Sequence, residues 1–122
     1  MLQEKEIRFI IEIDERYEKQ ILTSIQKQNI YLIFKEALNN ILKYAQATEI
    51  RMGFQKSKKK LILFISDDGI GFDLDNAHNK GHGLSNMKNR AVEIGANFNI
   101  ESKKGKGTIC TLKLSANKKA AD

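Results

Sequence analysis

The chain has 122 residues, 41% of them hydrophobic and 30% charged, with a net charge of +6, one cysteine and no proline or tryptophan. That length suits one hydrophobic core and is short for two, and the balance of apolar to charged residues excludes a disordered chain. The lone Cys110 excludes an intrachain disulfide and a paired-cysteine metal site and points to a reducing compartment. No apolar run reaches the length of a membrane span, and Met1–Glu6 lacks the basic-then-apolar form of a secretory leader.

Taken in chain order, Glu6–Ile13 alternates apolar and polar residues and predicts a half-buried strand. Asp14–Gln20 is polar and reads as a loop. Thr23 to Gln26 has the form of a capping box and opens a long helix that ends near Gln46. The run from Tyr31 onward lacks glycine and proline and is rich in helix formers. At about 100° per residue, Ile33, Ala37, Ile41 and Tyr44 share one side, continued by Phe34, Leu38 and Ala45. Thr48–Phe54 and Leu61–Ile65 are strand-like runs joined by a lysine-rich turn, which predicts a hairpin. The second run is almost wholly apolar and predicts a central strand covered on both faces. Asp67–Asp73 follows directly, then a polar loop of about ten residues from Leu74 to Gly83. Leu84, Met87, Ala91 and Ile94 are spaced as a helix that Gly95 stops. Ala96–Ser102 and Lys106–Leu114 read as a final hairpin around Gly105, and Ser115–Asp122 as a polar, frayed tail. There is no internal repeat and no linker, so the expectation is a single domain over 1–122 with its core at about 6–114. The order of elements predicts an α+β fold: a two-layer sandwich whose mixed sheet of about five strands carries its helices on one face.

Chemistry-bearing residues recur at particular places in this frame. On the long helix, Glu36 and Asn40 are four apart and Asn40 and Lys43 three apart, so they are surface neighbours. A carboxylate, a carboxamide and an ammonium, with the Tyr44 phenol at the edge, are suitable parts for gripping hydrated Mg²⁺ and phosphate. The same pattern also describes an ordinary amphipathic helix with a solvated far face. Asp67, the first residue past the apolar strand, is placed to accept a hydrogen bond from a donor deep in a cleft, such as the exocyclic amine of adenine. Gly69 and Gly71 after it allow a tight turn and close approach. Gly81 and Gly83, flanking His82 and followed by Leu84, sit where a loop feeds a helix, where free amides favour an anion. Gly105, Gly107 and Thr108 enter the last strand. Each motif alone has an equally good structural use as a turn or a helix start.

Their order and spacing form the specific signal. A helix with E-x3-N-x2-K-Y, then D-x-G-x-G after a hydrophobic strand, G-x-G-L opening a helix and G-x-G-T before a closing strand resembles the ATP-binding fold shared by sensor histidine kinases, DNA gyrase, Hsp90 and MutL. Within that superfamily the phrases EALNNILKYAQA, DDGIGFD and GHGLSNMKNRA are similar to the catalytic domain of two-component sensor kinases that pair with helix-turn-helix response regulators. The resemblance spans about Glu6 to Leu114 and implies a Bergerat-type fold.

Carried onto this sequence, the resemblance implies that Asn40 holds a Mg²⁺ bridging ATP phosphates, Lys43 contacts phosphate and Tyr44 lines the nucleotide pocket. Glu36 stands where the superfamily's ATPases hold a water-activating carboxylate. In a kinase it helps polarise the accepting imidazole or holds the metal's water shell. Asp67 reads the adenine amine and Gly69 and Gly71 shape its turn. Gly81, His82, Gly83 and Leu84 belong to the nucleotide-binding segment behind an ATP lid at about 74–82, and Thr108 supports the adenine end. The motif bearing the phosphorylated histidine is absent, as is the paired-helix dimerisation region, and His78 and His82 read as polar loop residues. The implied partners are therefore a histidine-bearing dimerisation domain and, downstream, a response regulator. The implied location is cytoplasmic, alone or as the cytoplasmic part of a membrane-anchored sensor, with no membrane contact by this domain. Two alternatives are a water-activating ATPase of the gyrase or MutL type and a protein-serine kinase acting on anti-sigma antagonists. Lysines cluster at Lys56–Lys60, at Lys103–Lys106 and at Lys118–Lys119. Nucleic-acid binding would need aromatics interleaved with them, and the aromatics instead lie mostly in apolar runs, so no nucleic-acid partner is expected.

Overall fold

The structure, a computed structural model, describes residues 6–14, 22–57, 59–71 and 83–115. Strands β1 (Arg8–Ile13), β2 (Glu49–Ser57), β3 (Lys60–Asp67), β4 (Asn97–Lys103) and β5 (Gly107–Ser115) form one sheet in the order β1-β2-β3-β5-β4. β1 runs parallel to β2 and every other pairing is antiparallel. The helices are α1 (Ser24–Asn40), prolonged by a π turn over Ile41–Ala45, and α2 (Gly83–Glu93). The mixed sheet of five strands, with the two helices found among the described residues, bears out the expected α+β fold.

The capping box at the start of α1 is present. Thr23 Oγ1 accepts the Gln26 N–H at 3.1 Å, and Gln26 Oε1 accepts the Thr23 N–H at 2.8 Å. Register puts Ile50, Leu61, Ile65, Cys110, Leu112 and Leu114 on one side of the sheet, and all are buried. α1 meets this face with Ile33, Ala37 and Ile41, and α2 with Met87 and Ala91, each set spaced by four residues. The two helices also pack on each other. Buried Asn29 donates to the Ile25 carbonyl, and its Oδ1 lies 3.5 Å from Arg90 Nη1 of α2.

Three expectations need correction. β3 is central, but the described helices cover one of its faces: Leu61, Ile65 and Asp67 are buried, whereas Ile62 and Phe64 are half-buried on the side where, among the described residues, no helix packs. A run of apolar residues arises here because both positions of the pleat are shielded in part by flanking strands. β1 is less buried than its alternation suggests. Phe9, Ile11 and Ile13 share the helix-side face of β2 by register yet remain 50%, 66% and 61% exposed, because β1 is the sheet edge and α1 packs over β3. Ser115 belongs to β5, so the strand runs one residue into the expected tail; residues 116–122 lie outside the described residues.

Candidate functional site

The site forms where the C-terminal end of β3 meets the end of α1 and the turn between β4 and β5. α1 keeps α-helical geometry to Asn40, widens into the π turn over Ile41–Ala45, and stops at Gln46, whose φ of 52° is left-handed. π turns inside helices concentrate at functional positions, since the extra residue redirects the side chains that follow. Here the turn carries Lys43 and Tyr44. It also leaves the Ala45 carbonyl free to accept the Ile70 N–H at 2.8 Å, which fastens the Gly69–Gly71 turn to the helix end. The Gly105 N–H donates to the Ile70 carbonyl from the other side. Gly71 has a φ of +65°, and a Cβ there would strike the Lys103 carbonyl oxygen. Only glycine permits both the conformation and the contact.

Asp67 ends β3 at 9% exposure. Its Oδ1 accepts the Gly69 N–H at 2.7 Å, while Oδ2 is buried with no hydrogen-bond partner among the described residues. Burial pushes its pKa above the usual carboxylate value; the Gly69 N–H opposes that rise and the charge of Asp68 adds to it. A buried carboxylate oxygen without a donor suits a ligand that brings one. Cys110 lies on the same face, one pleat position back, and burial followed by the Asp67 charge pushes its thiol up to about 12, so it is a protonated packing residue. Thr108 pairs with Asp67 across the β3–β5 ladder, and its Oγ1 lies 2.7 Å from Ser102 Oγ. A cavity of about 290 Å³ takes in Ser66, Asp67, Ser102, Lys106, Gly107 and Thr108, and no residue of α1 lines it.

A second group forms between the helices. A Cβ built on Gly83, at the head of α2, would lie 2.6 Å from Glu36 Oε1 and 3.4 Å from Asn40 Nδ2. The backbone at the start of α2 is thus seated against the polar stripe of α1, with the Glu36 carboxylate at the positive end of the α2 dipole. The structure therefore brings Glu36, Asn40 and Gly83 together, and separately Asp67, Gly69 and Thr108, and connects the α1 end to the Asp67 turn through Ala45 and Ile70. Lys43 is exposed and Tyr44 is 67% exposed. Leu84 is half-buried and packs against the core. Gly81, His82 and the lid expected at 74–82 lie outside the described residues. Sequence reasoning missed Asp68, Thr48 and Ser102, although the doubled acid in Asp67–Asp68 was a visible signal that one of the pair had another task.

Residues 25–118 match the model of the family described as histidine kinase-, DNA gyrase B- and HSP90-like ATPase. The chain belongs to that family. Membership in this ATPase family implies an ATP site. Among curated relatives, the chain is 30% identical over 117 residues to the sensor protein VraS of Staphylococcus epidermidis, which covers 89% of this chain and 34% of that protein. It is 35% identical over 92 residues to VraS of Staphylococcus saprophyticus, covering 75% and 26%. The chain thus spans about a third of the length of the curated relatives it matches. Among solved structures, the histidine kinase domain of the blue-light activated kinase EL346 from Erythrobacter litoralis superposes with a TM-score of 0.75 at 19% identity, over 90% of this chain and 52% of that one. These matches bear out the resemblance to the histidine-kinase type of ATPase domain that the motifs carry. No helix among the described residues is long and apolar enough to cross a membrane.

Proposed function

We propose that this ATPase-family domain binds Mg-ATP and supplies the γ-phosphoryl group to a histidine on a separate dimerisation domain of a two-component sensor kinase. The observation that carries the reading is Asp67: a buried carboxylate at the exit of the central strand, with one oxygen hydrogen-bonded to its own turn and the other lacking a donor. The adenine 6-amino group is the donor that fits, because an orphaned buried acceptor strongly favours a ligand that completes it. Thr108, its ladder partner, supports the same end.

The phosphates belong at the Glu36, Asn40 and Gly83 group. There the amides at the start of α2 favour negative charge, and Lys43, three residues beyond Asn40 in the sequence, would add a positive charge. Asn40 offers a neutral oxygen suited to Mg²⁺, whose bound charge would offset that of the phosphates. Glu36, beside it, is positioned to hold the metal's water shell or to polarise the accepting imidazole. Phosphoryl transfer asks mainly for such positioning and charge neutralisation, so few covalent roles are needed from this chain. The accepting histidine would come from another domain, and a response regulator would receive the group afterwards. The setting is cytoplasmic.

The test supplies γ-labelled ATP to this chain together with a histidine-bearing dimerisation domain from a sensor kinase of this type. Acid-labile, alkali-stable label on that domain is expected. Rapid ATP hydrolysis without any acceptor would instead favour the gyrase-type ATPase reading, and label on a protein serine would favour the anti-sigma kinase reading.

A further inference from the structure

Asp68 adjoins Asp67 and is used in the opposite way. It is exposed, and both of its oxygens are engaged. Oδ1 accepts the backbone N–H of Thr48 at 2.8 Å and that of Glu49 at 2.9 Å, and Oδ2 accepts the Thr48 hydroxyl at 2.6 Å. The Asp68 N–H returns a bond to the Glu49 carbonyl at 3.3 Å. Thr48 and Glu49 lie where the chain leaves the end of α1 and enters β2. The Thr48 hydroxyl first, with the Glu49 and Thr48 N–H groups, holds the Asp68 carboxyl below its usual range. The β2–β3 ladder ends at the Ile50–Asp67 pair. These bonds therefore act one step past regular pairing, where the turn that carries Gly69 begins.

That placement has a use. Asp68 follows Asp67 directly, so tying its carboxylate and its N–H to Thr48 and Glu49 restrains the backbone from which the Asp67 side chain projects. A recognition group has to be held within about 0.5 Å of its productive position by its supporting contacts. The same turn is held at Ile70 by Ala45 and by Gly105 and at Gly69 by Asp67 Oδ1, and Asp68 adds the bonds that tie it to the start of β2.

We propose that Asp68 is a positioning residue for nucleotide recognition. Clasped by Thr48 and Glu49, its carboxylate fixes the turn that aims Asp67 at the base. This rests on the function proposed above and adds two residues, Asp68 and Thr48, that the motif resemblance gave no role. The chemistry of the clasp is specific. Asparagine keeps an oxygen for the two N–H donors and offers its amide hydrogens to the Thr48 oxygen, so it can replace aspartate. Alanine loses every bond, and Thr48→Val removes the hydroxyl arm alone.

The experiment is calorimetry with Mg-ATP on the parent, Asp68→Ala, Asp68→Asn, Thr48→Val and the Asp68→Ala/Thr48→Val double variant. All are measured well below melting temperatures recorded in parallel. Asp68→Ala is expected to bind about tenfold more weakly, and Thr48→Val about threefold more weakly. Asp68→Asn should stay within about twofold of the parent, and the double variant should be no weaker than Asp68→Ala. If Asp68→Ala does not fold, Thr48→Val and Asp68→Asn decide by the same criteria. Parent-like affinity in Asp68→Ala or Thr48→Val, or an Asp68→Asn as weak as the alanine variant, overturns the clasp while leaving the ATP reading standing. A parent that does not bind Mg-ATP overturns both.

Discussion

Asp67 carries the largest unpaid electrostatic cost visible in the site. A buried acceptor without a donor costs about 1–3 kcal/mol in the free protein. Its pKa is raised in the folded chain, so the sign is fixed: the stability tied to its protonated form is fully present below the ordinary value of 3.8 and is lost as pH rises through the folded-state value. Asp67→Asn should therefore melt about 4 °C higher than the parent at pH 7, with the difference shrinking towards zero as pH approaches 4. Melts across that range check it. Ligand binding should depend on pH in the opposite sense. If Asp67 accepts from the adenine amine as proposed, its ionised form is the stronger acceptor, so Mg-ATP affinity should fall on acidification, with an acid limb above the usual carboxylate range. In Asp67→Asn that limb should vanish together with most of the affinity, as titrations at stepped pH would reveal. The sequence alone made Asp67 a candidate, because it follows an apolar strand and precedes two glycines. The bare Oδ2 and the outward clasp of Asp68 were not legible, since strand alternation says which side a residue takes but not which donors await it.

At the scale of elements, the site depends on three backbone segments locked to one another: the π turn, the Gly69–Gly71 turn and the turn between β4 and β5. The Ala45–Ile70 and Gly105–Ile70 bonds join them. Gly71→Ala would force a side chain into a left-handed conformation and against the Lys103 carbonyl. It should cost about 2 kcal/mol or more in stability and weaken nucleotide binding further than that loss explains. Denaturant melts and calorimetry on one preparation separate the two effects. Much at this scale was legible in the sequence. Thr23 and Gln26 marked the start of α1, Gly95 the end of α2, and the apolar alternation gave the strands and both hairpins. The π turn was not legible, because the residues Ile41–Ala45 favour an ordinary helix as well as a widened one. The exposure of Phe9, Ile11 and Ile13 also escaped sequence reasoning. Alternation fixes a face, but only tertiary packing decides whether an element lies over the sheet edge.

For the whole molecule, the sheet order places β3 in the middle with β2 and β5 beside it, so Asp67 and its ladder partner Thr108 stand at the centre of one sheet end. α1 and α2, packed together on the same face, bring Asn40 and Glu36 to the head of α2. Long-range pairing thus assembles residues that lie far apart in the chain, which is why the motif order carried more information than any one motif. The chain spans about a third of the length of the sensor proteins it is similar to, so the proposed transfer to a histidine is tested with a separate acceptor domain supplied. Nucleotide binding is a property this chain should have by itself. The most direct test is calorimetric titration of the chain with ATP, with and without Mg²⁺, on the parent, Asp67→Asn and Asn40→Asp. The expected result is Mg²⁺-dependent binding by the parent, a loss of about tenfold or more in Asp67→Asn with the fold intact, and a disturbed Mg²⁺ dependence in Asn40→Asp. Equal affinity for ATP in the parent and in Asp67→Asn would contradict it.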